Sequence, residues 1–194
     1  MVLDTETTGL TPRAPIHDTR AWDRCRVVQV AWSVHDASGA PLTKRCLTVQ
    51  PDGFEIPEQA ARIHGITTAN ASVNGSPIQQ VLLALHDDLE RFDVGTLVAH
   101  NMEFDDTVLQ AEMWRYRCSD LLNRFQVCER RCTMLMGTHP GKKWPRLAEL
   151  YQELFGEAPG KCHQADLDVE YCSRIFWHFM AKNALKSGDD SKLN

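Results

Sequence analysis

Two carboxylates stand one residue apart in the opening run MVLDTETTGL. Asp4 and Glu6 interrupt a segment that otherwise reads as a strand. Alternate strand residues share a face, so both charges project from the side that Val2 begins. A third acid, Asp168, falls on the apolar side of a helix expected over residues 164–183. At about 100° per residue, Ala165, Cys172, Ile175, Phe176 and Phe179 lie within about 80° of it. A carboxylate on such a face has to be paired, protonated or bound to a cation. The stretch VAHNMEFDDTVL adds a strand end followed by Asp105 and Asp106 in the first turn of a helix. Acids there suit the helix dipole, and periodicity leaves open which of the two turns inward. His163 precedes Asp168 by about 140° on an ideal helix. The two converge only if His163 comes before the regular helix or opens it, an entry that Pro159 and Gly160 permit.

Carboxylates crowded at one place repel unless divalent cations neutralise them. Hard cations such as Mg²⁺ take oxygen ligands. Two such ions about 3.5–4 Å apart clamp the attacking and leaving oxygens of an in-line phosphoryl displacement. A neighbouring histidine supplies the base that deprotonates water.

The elements that must position these groups are legible in outline. Residues 2–5, 26–34 and 42–51 read as strands, the last two joined as a hairpin by DASG. PEQAARIHGIT (57–67) reads as a short helix stopped at Gly65. SPIQQVLLALHDDLERF (76–92) reads as a long helix with Ser76 as N-cap and Pro77 in the first helical position. GTLVAHN (95–101) is a buried strand and 103–116 a helix. Residues 118–140 carry a weak strand signal near Cys132–Met136. RLAELYQELFG (146–156) and 164–183 are helices. Residues 10–25 read as an irregular loop. One domain over 1–183 is expected, with a disordered tail at 184–194.

The chain has 194 residues and a mass of 22.0 kDa, enough for one domain with a real core. Its 43% hydrophobic and 24% charged residues are ordinary for a soluble globular protein. No apolar run approaches the roughly 20 residues that span a bilayer, so no membrane partner is expected. The seven cysteines are odd in number and irregularly spaced, with Cys46, Cys162 and Cys172 inside apolar patterns. They read as free, mostly buried thiols of an intracellular (cytoplasmic or nuclear) protein. Cys118, Cys128 and Cys132, with His139, form one loose group where structural zinc sites show two tight pairs. A net charge of −5 argues against a general electrostatic grip on nucleic acid. Arg130, Arg131 and GKKWPR (141–146) are local basic spots, expected to be solvated surface.

Three of these segments, LDTETTGL, AHNMEFD and HQADLDVEYC, resemble in that order the motifs of the DEDDh (DnaQ-like) exonuclease family. RIHGIT (62–67) resembles a recurrent segment between the first two, and the likeness runs from Val2 to about Phe179. It implies an α/β, ribonuclease H-like fold, a mixed central sheet of about five strands flanked by helices. The implied activity is 3′→5′ hydrolysis of single-stranded DNA or RNA, releasing nucleoside 5′-monophosphates. Asp4, Glu6, Asp105 and Asp168 would hold two Mg²⁺ or Mn²⁺ ions. The second motif places its acid directly after the Phe, which selects Asp105. His163 would be the general base. Thr7, Leu10 and Asn101 would receive the 3′-terminal nucleotide. Loop 10–25 is longer than the family's usual link and is expected to reshape substrate access or bind a partner. As a proofreading subunit it would take a polymerase, or another protein, as its partner. A catalytically inactive nucleic-acid binding module is the rival reading, disfavoured by the intact acids and His163.

Overall fold

The computed structural model describes residues 1–160 and 164–189, with side chains through residue 184. Five strands form one mixed sheet: β1 (Val2–Thr7), β2 (Val27–His35), β3 (Pro41–Thr48), β4 (Thr96–Ala99) and β5 (Glu129–Cys132). Their order is β3-β2-β1-β4-β5, which puts β1 at the centre. β1, β2 and β3 run antiparallel, while β4 pairs parallel with β1 and β5. The helices are α1 (Glu58–His64), α2 (Thr68–Asn74), α3 (Ile78–Arg91), α4 (Met102–Arg115), α5 (Ser119–Gln126), α6 (Thr133–Met136), α7 (Leu147–Phe155) and α8 (Ala165–Asp189).

The pleat of β1 divides its side chains between two cores. Leu3 joins Val30, Trp32 and Leu97 against α3 and α4 in the larger one. Val2, Ala31 and Val98 meet Ala165, Val169, Cys172 and Phe176 of α8 on the opposite face. The apolar stripe read on the last helix is therefore the face that covers the sheet. α7 packs on α8 through Leu150, Tyr151 and Ile175.

Several elements differ from the sequence reading, each for a local reason. Ser76 does not cap α3. Its N–H donates to the Thr48 carbonyl and its own carbonyl accepts from Gln50, so backbone pairing takes Ser76 and the helix starts at Ile78. The weak strand signal at 132–136 belongs to residues 129–132, and 133–136 is helical. β5 is an edge strand of sequence ERRC, and its charges hide the usual hydrophobic alternation. α2 was not foreseen; Thr67 caps it by accepting from the Asn70 N–H. Cys46, expected inside, is exposed on the outer strand β3. The six described cysteines are free, and Cys162 lies outside the described residues. α8 runs to Asp189, into the segment expected as a tail. No described helix is long and apolar enough to cross a membrane.

Loop 10–25 is tied down. Trp22 is buried with its indole N–H donating to the Pro15 carbonyl, and Arg115 of α4 bonds the Thr19 carbonyl and Asp23. The chain returns beside its own start, where the Thr8 hydroxyl donates to the Arg24 carbonyl and accepts from the Arg26 N–H. Gly9 is required here because a Cβ would lie 2.9 Å from the Arg24 carbonyl oxygen. A buried ion pair anchors this corner to α4: Arg26 Nε lies 2.7 Å from Glu112 Oε1, which also accepts from the Val27 N–H. Truncating one member strands the other charge in the interior. Glu112→Ala is therefore expected to lower unfolding free energy by about 3–5 kcal/mol, measured by urea denaturation.

Candidate functional site

Asp4 and Glu6 continue the face of β1 that Val2 starts, just beyond the point where α8 covers it. Asp168 sits one turn from both Ala165 and Cys172, so the packing that seals Val2 also delivers its carboxylate to β1. One oxygen from each of Asp4, Glu6 and Asp168 lies within 4.8 Å of the others. Asp105 approaches from the other side. Parallel pairing of β1 with β4 is limited to Val2 and Val98, and farther along the Thr5 N–H and hydroxyl both donate to Asp105 Oδ1, at 2.9 and 2.7 Å. Asp106 turns away and pairs with Arg130 at 3.0 Å. The choice that helical periodicity left open is thus made by tertiary contacts, in favour of Asp105.

The cluster is electrostatically loaded. Burial, then Asp105, Asp168 and Glu6, push the Asp4 carboxyl well above its ordinary range. Burial and the charges of Asp168 and Asp105 raise Glu6 to about 7. Asp105 also rises to about 7 through burial, although its hydrogen bonds from Thr5 oppose the shift. Such a group must collect protons or a cation. Carboxylate oxygens this close fit a hard divalent cation such as Mg²⁺ or Mn²⁺. Among the described residues this is the one cluster with metal-ligand spacing, and Cys118, Cys128 and Cys132 do not form another. The Cys128 thiol donates instead to the Val94 carbonyl.

Two cavities meet at the cluster. One of about 740 Å³ is lined by Glu6, Thr7, Leu10, Asn101, His64 and Phe104. The other, about 960 Å³, contains Asp4 and Asp168 and shares Leu10 and Asn101 with the first. Leu10 is 86% exposed at their common border. Asn101 holds a left-handed backbone, φ 69°, at the turn from β4 into α4. Thr7, Leu10 and Asn101 therefore line the cavities beside the acids. His163 lies outside the described residues.

Sequence reasoning missed other lining groups. His64 and Phe104 sit inside the recognised segments RIHGIT and AHNMEFD but carried no assigned role. Lys142, Lys143 and Trp144 are exposed, as expected of solvated surface, and they also border the larger cavity. The GKKWPR stretch itself was visible; what it faces was not. His100 fastens it, since its Nε2–H donates to the Pro145 carbonyl while Nδ1 accepts from Thr133. Burial lowers the His100 pKa, favouring the neutral ring that this pattern needs.

The family model RNase_T, described as exonuclease, matches residues 1–176. Comparison with curated protein sequences gives no match. Among solved structures, exonuclease X in complex with 5′-overhanging duplex DNA superposes with a TM-score of 0.63 at 23% identity, covering 94% of this chain and 92% of that one. E. coli exonuclease I in complex with a dT13 oligonucleotide gives 0.65 at 20% identity, over 98% of this chain and 42% of that one. The zinc-bound E. coli exonuclease I–ssDNA complex gives 0.63 at 21% identity, over 94% and 40%. The chain thus spans about two-fifths of exonuclease I. These likenesses establish a shared ribonuclease H-like fold.

The raised acids give metal-free stability a defined pH dependence. Between the ordinary carboxylate range and about pH 7, the folded protein holds protons on Glu6 and Asp105 that the unfolded chain releases. Stability must then fall as pH rises through that window. In EDTA the melting midpoint is expected to drop by about 5 °C or more from pH 5 to pH 8. Asp4→Ala, which removes one of the repelling charges, should raise the midpoint at pH 8. A lower midpoint would assign Asp4 a structural role.

Proposed function

Because the chain belongs to the RNase_T exonuclease family, we propose that it degrades single-stranded nucleic acid from the 3′ end, releasing nucleoside 5′-monophosphates. The convergence of Asp4, Glu6 and Asp168, with Asp105 held beside them by Thr5, carries this reading. The four acids would hold two Mg²⁺ or Mn²⁺ ions, which supply charge neutralisation and an acidified water for phosphodiester hydrolysis. The 740 Å³ cavity, with Thr7, Leu10 and Asn101 on its wall, receives the terminal nucleotide. Exposed Leu10 presents an apolar edge to the nucleotide at the cavity border. Water attacks the phosphorus in line with the 3′-oxygen of the preceding nucleotide. His163 takes the water's proton, the P–O3′ bond breaks, and the departing 3′-oxygen takes a proton from solvent, so the shortened strand leaves with a 3′-hydroxyl.

The structures of exonucleases X and I named above hold DNA, which makes DNA the first substrate to test. The experiment incubates 5′-labelled single-stranded DNA and RNA of equal sequence with Mg²⁺, against an EDTA control. A ladder shortening from the 3′ end is expected, and the reading fails if neither substrate shortens. Asp4→Ala is expected to abolish turnover with the fold intact. His163→Ala should reduce kcat by about 10²–10⁴-fold, the usual contribution of a general base. Full activity of that variant near neutral pH would remove His163 from the mechanism.

A further inference from the structure

The segment between α6 and α7 carries features that the hydrolytic reading leaves unused. Lys142, Lys143 and Trp144 line the same 960 Å³ cavity as Asp4 and Asp168. The segment is fixed at its far end, where His100 holds the Pro145 carbonyl and the Arg146 N–H donates to Glu149. Among the described residues no carboxylate pairs with either lysine. The nearby arginines differ, since Arg130 is engaged by Asp106 and Arg131 by Glu129. Trp144 is 60% exposed. It stacks on no described ring and also borders an adjoining cavity of about 670 Å³ that contains Arg131.

An exposed aromatic face beside free cations is the means by which proteins hold single strands without reading sequence: bases stack and phosphates are neutralised. The location gives this patch a direction. If the terminal nucleotide fills the cavity beside Glu6 and Thr7, the phosphate to be cleaved lies over the carboxylates. The rest of the strand must then leave on their other side, which is the cavity of Asp4, Asp168 and Trp144. We propose that Lys142, Lys143 and Trp144 grip the strand upstream of the scissile bond, Trp144 by stacking on a base and the lysines by contacting phosphates. This rests on the 3′-exonuclease reading and adds a binding site to it. It also answers how a chain of net charge −5 retains a polyanion: the attraction is concentrated on one wall of the cleft.

The test compares two substrates of the full chain in Mg²⁺. One is a single-stranded oligonucleotide. The other is the p-nitrophenyl ester of thymidine 5′-monophosphate, which offers a terminal nucleotide and a leaving group but no upstream strand. Trp144→Ala, and separately the double variant Lys142→Ala/Lys143→Ala, should lower the oligonucleotide-to-ester ratio of kcat/KM by about tenfold, mainly through oligonucleotide KM. Trp144→Phe, which keeps a ring, should recover most of the ratio. Loss of two phosphate contacts should also flatten the slope of log KM against log salt by about 1.4. Lys44→Ala, on an exposed lysine near Glu170 and away from the cleft, is the control and should leave the ratio unaltered. The inference is overturned if Trp144→Ala and the double-lysine variant keep the wild-type ratio, even where both substrates are cleaved more slowly. Wild-type protein that cleaves neither substrate would overturn the exonuclease reading and the grip with it.

Discussion

Mutual repulsion among four buried or half-buried carboxylates is the constraint around which this molecule is organised. Left to themselves, Asp4, Glu6, Asp105 and Asp168 would separate or swing into water. They stay together because each is mounted on an element held elsewhere. Asp4 and Glu6 ride on the central strand, with a neighbour on either side. Asp168 rides on a helix whose apolar stripe is buried against Val2, Ala31 and Val98. Asp105 is fastened by two hydrogen bonds from Thr5. Hydrophobic burial away from the site thus sustains an unfavourable charge arrangement within it, which is how strained functional sites are generally maintained.

The surrounding structure converts that cluster into a cleft with two unlike sides. The turn after β1 projects Leu10 between the cavities, and its path is locked by Gly9, Thr8 and the returning segment near Arg26. The buried Arg26–Glu112 pair ties this corner to α4, the helix that also bears Asp105. Loop 10–25, long as it is, packs back on the end of α4 and leaves Leu10 at the border of both cavities. On the opposite wall, His100 reaches from the end of β4 to hold the basic segment at Pro145. The sequence neighbours of the acids, His100 and Asn101 among them, therefore shape the cleft as well as linking its elements.

What the sequence by itself determined was the cast and its mountings: acids at the end of a strand, at a helix start and on an apolar helix face, in the motif order of an exonuclease family. Those features are local, written in periodicities of two and 3.6 and in turn residues, so they survive reading one segment at a time. The tertiary structure decided what depended on segments meeting. It seated Asp105 against Thr5 and Asp106 against Arg130, a division that helix periodicity left open and only the motif resemblance pointed to. It took Ser76 from its helix to pair with the end of β3, and placed the charged edge strand ERRC where hydrophobic alternation gave no signal. It set the GKKWPR run, still exposed to solvent, along one wall of the cleft. The physical reason is common to all of these. A residue's own type sets which interactions it can make, while the chain brought alongside it sets which of them it does make.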